Sequence, residues 1–206
     1  MLAWLRRHLF RPAKDPLAGV PRGEARLIVG LGNPGPEYAD TRHNVGFQCV
    51  DALAERLGAR WSECNDALVA VADPRLVLAK PQTFMNRSGP AVAALLEQLE
   101  IAPTEALIVY DDMDLPFATL RLRARGSAGT HNGMRSVLNE LGTQDIARLR
   151  IGISQAGRGN AIDHVLSAFT PEEQPIIDEA VERAAEAALA WSNEGAEAAM
   201  NRYNRS

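Results

Sequence analysis

Cysteine, aromatic residues and long apolar runs are all scarce in this chain. Two cysteines, Cys49 and Cys64, build neither a disulfide framework nor a four-ligand zinc site, and point to a reducing compartment. No apolar stretch approaches the ~20 residues of a membrane-spanning helix. There is no internal repeat and no low-complexity tract. What remains is ordinary: 206 residues, 46% hydrophobic and 23% charged, which excludes a largely disordered chain, a collagen-like fibre and a coiled coil. A single domain is the default at this length, and roughly 70% of the unfolded surface can be buried without staples. A soluble, cytoplasmic monomer is the expectation.

The net charge of −4 hides an asymmetry. Between residues 115 and 150 stand Arg121, Arg123, Arg125, Arg135, Arg148 and Arg150, against only Glu140 and Asp145. Beyond residue 171 eight carboxylates face Arg183, Arg202 and Arg205. One cationic stretch on an acidic body suits local phosphate binding, although a solvated strand face would look the same on charge alone.

Residues 1–24 read as a basic N-terminal extension, with Trp4, Leu5, Leu9 and Phe10 able to share a helical face. Arg6 and Arg7 break the apolar core a secretory signal needs, while import into an organelle stays open. Residues 25–192 carry the fold and 193–206 a C-terminal tail. Within the body, 26–31, 106–110, 118–122 and 148–153 are strand-like, and 67–72 with 75–78 form a hairpin about Asp73-Pro74. Apolar residues recur at helical spacing over 44–57, 91–99 and 131–141. The composition of 171–191 is helical too, opened by Thr170 and Glu173 as a capping box. Strands alternating with helices predict an α/β fold: a single domain, a three-layer arrangement with a twisted mixed sheet flanked by helices.

The first strand ends in Gly30-Leu31-Gly32-Asn33-Pro34-Gly35, formally a dinucleotide fingerprint. Its context argues against that. Pro34 and Pro36 stiffen the turn, the helix starts only near Asn44, and Asp51 falls inside the helix rather than at a strand tip. A strand-end loop presenting Asn33 is the better description. His43 stands at a loop–helix junction, where an imidazole could take a proton. More polar residues collect at 80–89, at Asp111 to Asp114, and at the glycine-rich 126–133 ending in His131-Asn132. Loops at the carboxyl ends of strands converge on one crevice in such sheets. The aspartates lack the spacing of a calcium loop, there is no H-x-x-x-H pair, and no G-x-S-x-G elbow occurs. His43, His131 and one aspartate make a thin set for a metal. A histidine base acting on water, with no metal or other cofactor, is the chemistry left.

GLGNPGPEYADTRHNVGF, KPQTFMNRSG, VYDDMDLP with the arginine strand after it, HNGMRS, RLRIGI and VLSAFTPEE stand in this order from about Arg26 to about Arg183. Together they resemble the bacterial-type peptidyl-tRNA hydrolases. The resemblance implies hydrolysis of the ester between a peptide and tRNA, recycling tRNA from aborted translation. It implies His43 as the catalytic histidine, Asp111 as the carboxylate that orients it, and Asn33, Asn86 and Asn132 as site asparagines. Asn33 would carry much of the discrimination against free aminoacyl-tRNA. Tyr38, Phe84 and Met85 match positions lining the groove. The resemblance gives Arg121, Arg123, Arg125 and Arg135 as groups for tRNA phosphates, and Arg150 matches a position adjoining the site.

The chain departs from the family pattern in a glycine-poor 126–130 loop, in Ser154 to Gly157 where a glycine-basic-proline turn is commoner, and in arginines where lysines are usual. A different class remains: a non-catalytic RNA-binding relative of the splicing-factor type. Keeping His43, Asp111 and all three asparagines together favours the enzyme.

Overall fold

Four apolar runs form the parallel centre of one sheet: β1 (Arg26–Gly30), β4 (Leu76–Pro81), β5 (Ala106–Pro116) and β7 (Ala147–Ser154). The computed structural model describes residues 15–154 and 160–204. Antiparallel strands complete both sides, β2 (Ser62–Cys64) with β3 (Ala67–Asp73) on one and β6 (Leu120–Arg123) on the other. The order is β2-β3-β4-β1-β5-β7-β6. Successive side chains of a strand point to opposite faces, so Leu27 and Val29 enter one buried cluster while Ile28 enters the other.

Helices cover both faces, which makes the arrangement three-layered as the alternating pattern implies. On one side lie α1 (Val45–Arg56), α5 (Gln174–Glu194) and α6 (Ala196–Tyr203); on the other α2 (Ser88–Leu99) and α3 (Asn132–Leu141). A short α4 (Ala161–Val165) stands apart near the carboxyl ends of the strands. Along α5 the buried positions are mostly alanine, among them Ala180, Ala184, Ala187 and Ala188. Small side chains let this 21-residue helix lie close against the sheet and α1.

Several boundaries differ from those the sequence suggests. The apolar run of β5 ends at Tyr110, yet the strand continues through polar residues to Pro116 because β7 offers a parallel partner as far as Gly152. Strand β2 is too short and too exposed to show a period. Ala118, expected in a strand, turns the chain at φ 58° before β6. Thr170 and Glu173 do exchange bonds, Thr170 N to Glu173 Oε2 at 2.8 Å and Glu173 N to Thr170 Oγ1 at 3.3 Å. They close a turn and not a helix start. Pro175, with no N–H to continue a helix backwards, lets α5 begin only at Gln174.

The segments read as extension and tail also join the fold where they are described. Leu17 and Val20 are buried beside α2. After α5, Ala199 of α6 enters the core, and the Asn204 side chain accepts from Leu122 N at 2.7 Å and donates to Leu122 O at 3.0 Å. That amide covers an edge strand that would otherwise present unpaired backbone groups. The helical face suggested for Trp4 to Phe10, and most of the 154–157 turn, lie outside the described residues.

The strand-end glycines serve close packing. A Cβ on Gly46, second residue of α1, would collide with the carbonyl oxygens of Val109 and Leu31. A Cβ on Gly30 would run into the Gly46 carbonyl. The pair lets the start of α1 press onto β1 and β5, and this places the residues just before α1 over the strand ends. Gly46→Ala is expected to lower stability by about 3 kcal/mol, the upper range for an overfilled interior, measured by denaturant unfolding.

Candidate active site

The short turn ahead of α1, Arg42–Asn44, is buried throughout. It delivers His43 to the middle of β5, just past its apolar run, where His43 Nδ1 meets Asp111 Oδ1 at 2.7 Å. Asp111 lies inside the extended part of β5, paired in register with Ile151 of β7, so a sheet ladder and not a loop fixes it. A second imidazole approaches the same oxygen: His131 Nε2 is 3.0 Å from Asp111 Oδ1. The two rings stand 5.2 Å apart, edge to face.

Hydrogen bonding assigns the protons. His131 caps α3, and its Nδ1 accepts from Met134 N at 3.0 Å. An accepting Nδ1 carries no proton, so in the neutral ring Nε2 holds it and donates to Asp111. His43 directs Nδ1–H to the same carboxylate, which leaves its Nε2 as the imidazole nitrogen able to receive a proton. His131 has no such nitrogen left. Burial acts to raise the Asp111 pKa, but the attraction of His131 and His43 and their hydrogen bonds outweigh it, holding the carboxyl well below the usual carboxylate range.

A cleft of about 380 Å³ opens over this trio, lined also by Met113, Gly129, Asn132, Arg150, Ile162 and Val165. Of the residues singled out in the sequence, His43, Asp111, Asn132 and Arg150 therefore share one cavity. Asn33 borders a neighbouring hollow of about 220 Å³ with Asn44, Gln48 and Gln82. The Asn44 side chain accepts from Asn33 N at 2.8 Å and donates to Asn33 O at 3.0 Å, while Asn33 Oδ1 accepts from Met85 N at 2.8 Å. Asn33 is thus locked between the histidine turn and the loop after β4.

Met85, expected to line the groove, is 4% exposed and packs in the core; what it gives the site is its backbone N–H. Asn86 is exposed on the turn that follows. Tyr38 and Phe84 meet edge to face at 6.3 Å, outside the lining of either cavity. Arg121 stands opposite Arg150 across β6 and β7, and Arg123 opposite Arg148. Arg150 Nη1 reaches Asp112 Oδ2 at 2.9 Å. The Nε atoms of Arg121 and Arg150 are buried with no hydrogen-bond partner among the described residues.

Arg148 is not part of the cationic surface. It is 2% exposed and gives its N–H groups to backbone carbonyls, those of Gly126, Ser127, Gln144 and Ile146. It holds the foot of the 126–130 loop. Two residues in the site escape the sequence pattern. His131 is legible only as a polar residue before a helix, since histidine is an uncommon cap. Asn44 blends into the start of α1.

His43, Asp111 and His131 bring ligand-type atoms within 4.8 Å of one another, the one such group among the described residues. The set that looks thin for a metal in the sequence is thus assembled in space. Its donors are engaged with each other: one carboxylate oxygen accepts from both rings, and His131 Nε2 must keep its proton while Nδ1 caps α3. This donor arrangement fits a proton relay better than a cation cage.

The family model for peptidyl-tRNA hydrolase matches residues 27–206. A peptidyl-tRNA hydrolase of Chloroflexus aggregans is 55% identical over 186 residues, covering 86% of this chain and 98% of that one. One from Desulfitobacterium hafniense is 47% identical, covering 87% and 100%. The crystal structure of peptidyl-tRNA hydrolase from Acinetobacter baumannii superposes with a TM-score of 0.81 at 34% identity, over 89% of this chain and 96% of that chain. Matched over nearly all of its folded length in sequence and in three dimensions, the chain belongs to the peptidyl-tRNA hydrolase family.

Proposed function

We propose that the protein hydrolyses the ester joining a peptide, or an N-blocked amino acid, to the terminal ribose of tRNA, with His43 as general base. The observation that carries this reading is the division of labour between two histidines on one carboxylate. His131 is committed on both nitrogens, whereas His43 keeps Nε2 for a water molecule. Water gives its proton to Nε2 as its oxygen attacks the ester carbonyl. The tetrahedral adduct then expels the ribose oxygen, which takes the proton back from the imidazolium. Asp111, ionised throughout, stabilises the imidazolium as it forms. An ester needs no covalent intermediate for this, and a positioned base supplies ~10²–10⁴-fold.

Asn132 lines the same cleft with its Oδ1 accepting from Arg135 Nη1 at 3.1 Å, so its amide N–H groups face the task of holding a developing oxyanion or a substrate carbonyl. Asn33 offers substrate a donor for the same reason, its oxygen being used by Met85 N. A peptide carbonyl can accept from that donor. The ammonium of an aminoacyl-tRNA cannot, and it would be left poorly solvated. Asn86 and Phe84, both exposed, and the half-buried Tyr38 form the rim beyond Asn33.

Arg121, Arg123 and Arg150 are the groups for tRNA phosphates. Like charges directly opposite on neighbouring strands repel, and Arg121 stands opposite Arg150, whose Nη1 already pairs with Asp112. A phosphate met by the guanidinium ends would offset that repulsion. Contacts of this kind set affinity without reading sequence, as an enzyme that accepts many tRNAs requires.

Three outcomes test this. His43→Ala is expected to reduce release of N-acetylated amino acid from tRNA by ~10²–10⁴-fold while filter binding of the same tRNA persists. Wild-type protein that binds but leaves the ester intact would instead mark a non-catalytic RNA binder. Because the Asp111 carboxyl is held below its usual range, it stays charged as the medium is acidified. The acid limb of the pH–rate profile should therefore carry no step in the usual carboxylate range. Replacing Arg121 and Arg123 together by Ala should weaken tRNA binding at low salt. It should also flatten the plot of log affinity against log salt by about 1 to 2 in slope, since each phosphate neutralised adds roughly 0.7–0.9.

A further inference from the structure

The residue next to the proposed base is an arginine with no access to substrate. Arg42 is 5% exposed and its partner Glu173 is 9% exposed. Arg42 Nη2 pairs with Glu173 Oε2, and Nη1 donates both to Glu173 Oε1 at 3.2 Å and to Ile153 O at 3.1 Å. Nε reaches Ser167 Oγ at 3.3 Å, and the guanidinium lies 4.5 Å from the centre of the Phe169 ring. The backbone repeats the connection: Arg42 N donates to Ser167 O at 3.0 Å, and Thr41 forms an isolated antiparallel bridge with Ala168. On the far side, Glu173 Oε2 also accepts from Thr170 N. Its carboxyl is held below the usual range, the Arg42 hydrogen bond offsetting the effect of burial.

One guanidinium thereby ties the turn before α1 to two stretches far from it in sequence, the end of β7 and the 167–173 segment ahead of α5. These stretches bracket α4, whose Ile162 and Val165 form one wall of the cleft. A buried ion pair is a poor source of stability, because desolvation consumes most of the Coulomb attraction and apolar residues of similar volume do as well. What it provides is directional placement, since a bidentate arginine–carboxylate pair tolerates little change in distance or angle.

We infer that Arg42 and Glu173 are positioning residues. They set the gap between His43 and the α4 wall, so that the base and the surface holding the acyl group are placed by one contact. Asp111 orients the ring of His43 from inside the sheet; Arg42, one residue away, anchors its backbone to the opposite wall. The Thr170 and Glu173 pattern, which reads in the sequence as a helix cap, is the outer half of this clamp. The inference rests on the reading of His43 as base.

Glu173→Gln and Arg42→Lys test it, each keeping shape while removing the charge or the bidentate fork; if one fails to fold, the other carries the experiment. With N-acetylated aminoacyl-tRNA, well below the melting temperature, kcat should fall about tenfold with KM changed less than about twofold, because a small misplacement of a base costs turnover more than binding. Amide hydrogen exchange over residues 161–168 should quicken in the same variants. Variants that melt earlier yet keep wild-type kcat, or whose 161–168 amides exchange as before, would show the pair to be structural only. His43→Ala measured alongside separates the two ideas. Full activity in that variant defeats the general-base reading itself. An inactive His43→Ala beside a fully active Glu173→Gln defeats only the positioning role.

Discussion

A buried carboxylate that accepts from two imidazoles at one oxygen organises this protein. Asp111 is 2% exposed, and an ion so deep in the fold persists only where hydrogen bonds replace its hydration. His43 and His131 supply them. The demand runs in both directions. Satisfying Asp111 requires the turn before α1 and the start of α3 to meet over the middle of β5, and the rest of the architecture serves that meeting.

Two glycines bring the first of these elements in. With Gly30 and Gly46 back to back, α1 starts against the ends of β1 and β5, and His43 lies just ahead of it. His131 brings in the second, since the ring that donates to Asp111 is also the side-chain cap of α3. Its commitment on both nitrogens is what makes the two histidines unequal. The chemical asymmetry of the site is therefore a consequence of helix capping.

Arginine plays three parts here that charge counting treats alike. Arg148 is an internal strut that ties carbonyls together beneath a loop. Arg42 is half of a buried ion pair with Glu173, in the turn that carries His43. Arg121 and Arg150 face each other across two strands, and Arg150 reaches Asp112 at the edge of the cleft. Burial and partner, not residue type, separate the roles.

Period and punctuation in the amino-acid order were enough for the alternating α/β layers and the strand-like runs at 26–31 and 106–110, and the motifs that resemble the family named His43, Asp111 and Asn132, which share one cavity. Those features are local, or lie in short motifs whose order is specific. The continuation of β5 past Tyr110, the burial of Met85 and the roles of His131, Asn44 and Arg148 were not legible. Each is decided by a partner distant in the chain: a neighbouring strand, a carboxylate, a set of carbonyls. Hydrophobic periodicity reports which face a residue turns inward, but only the assembled fold determines what it meets there.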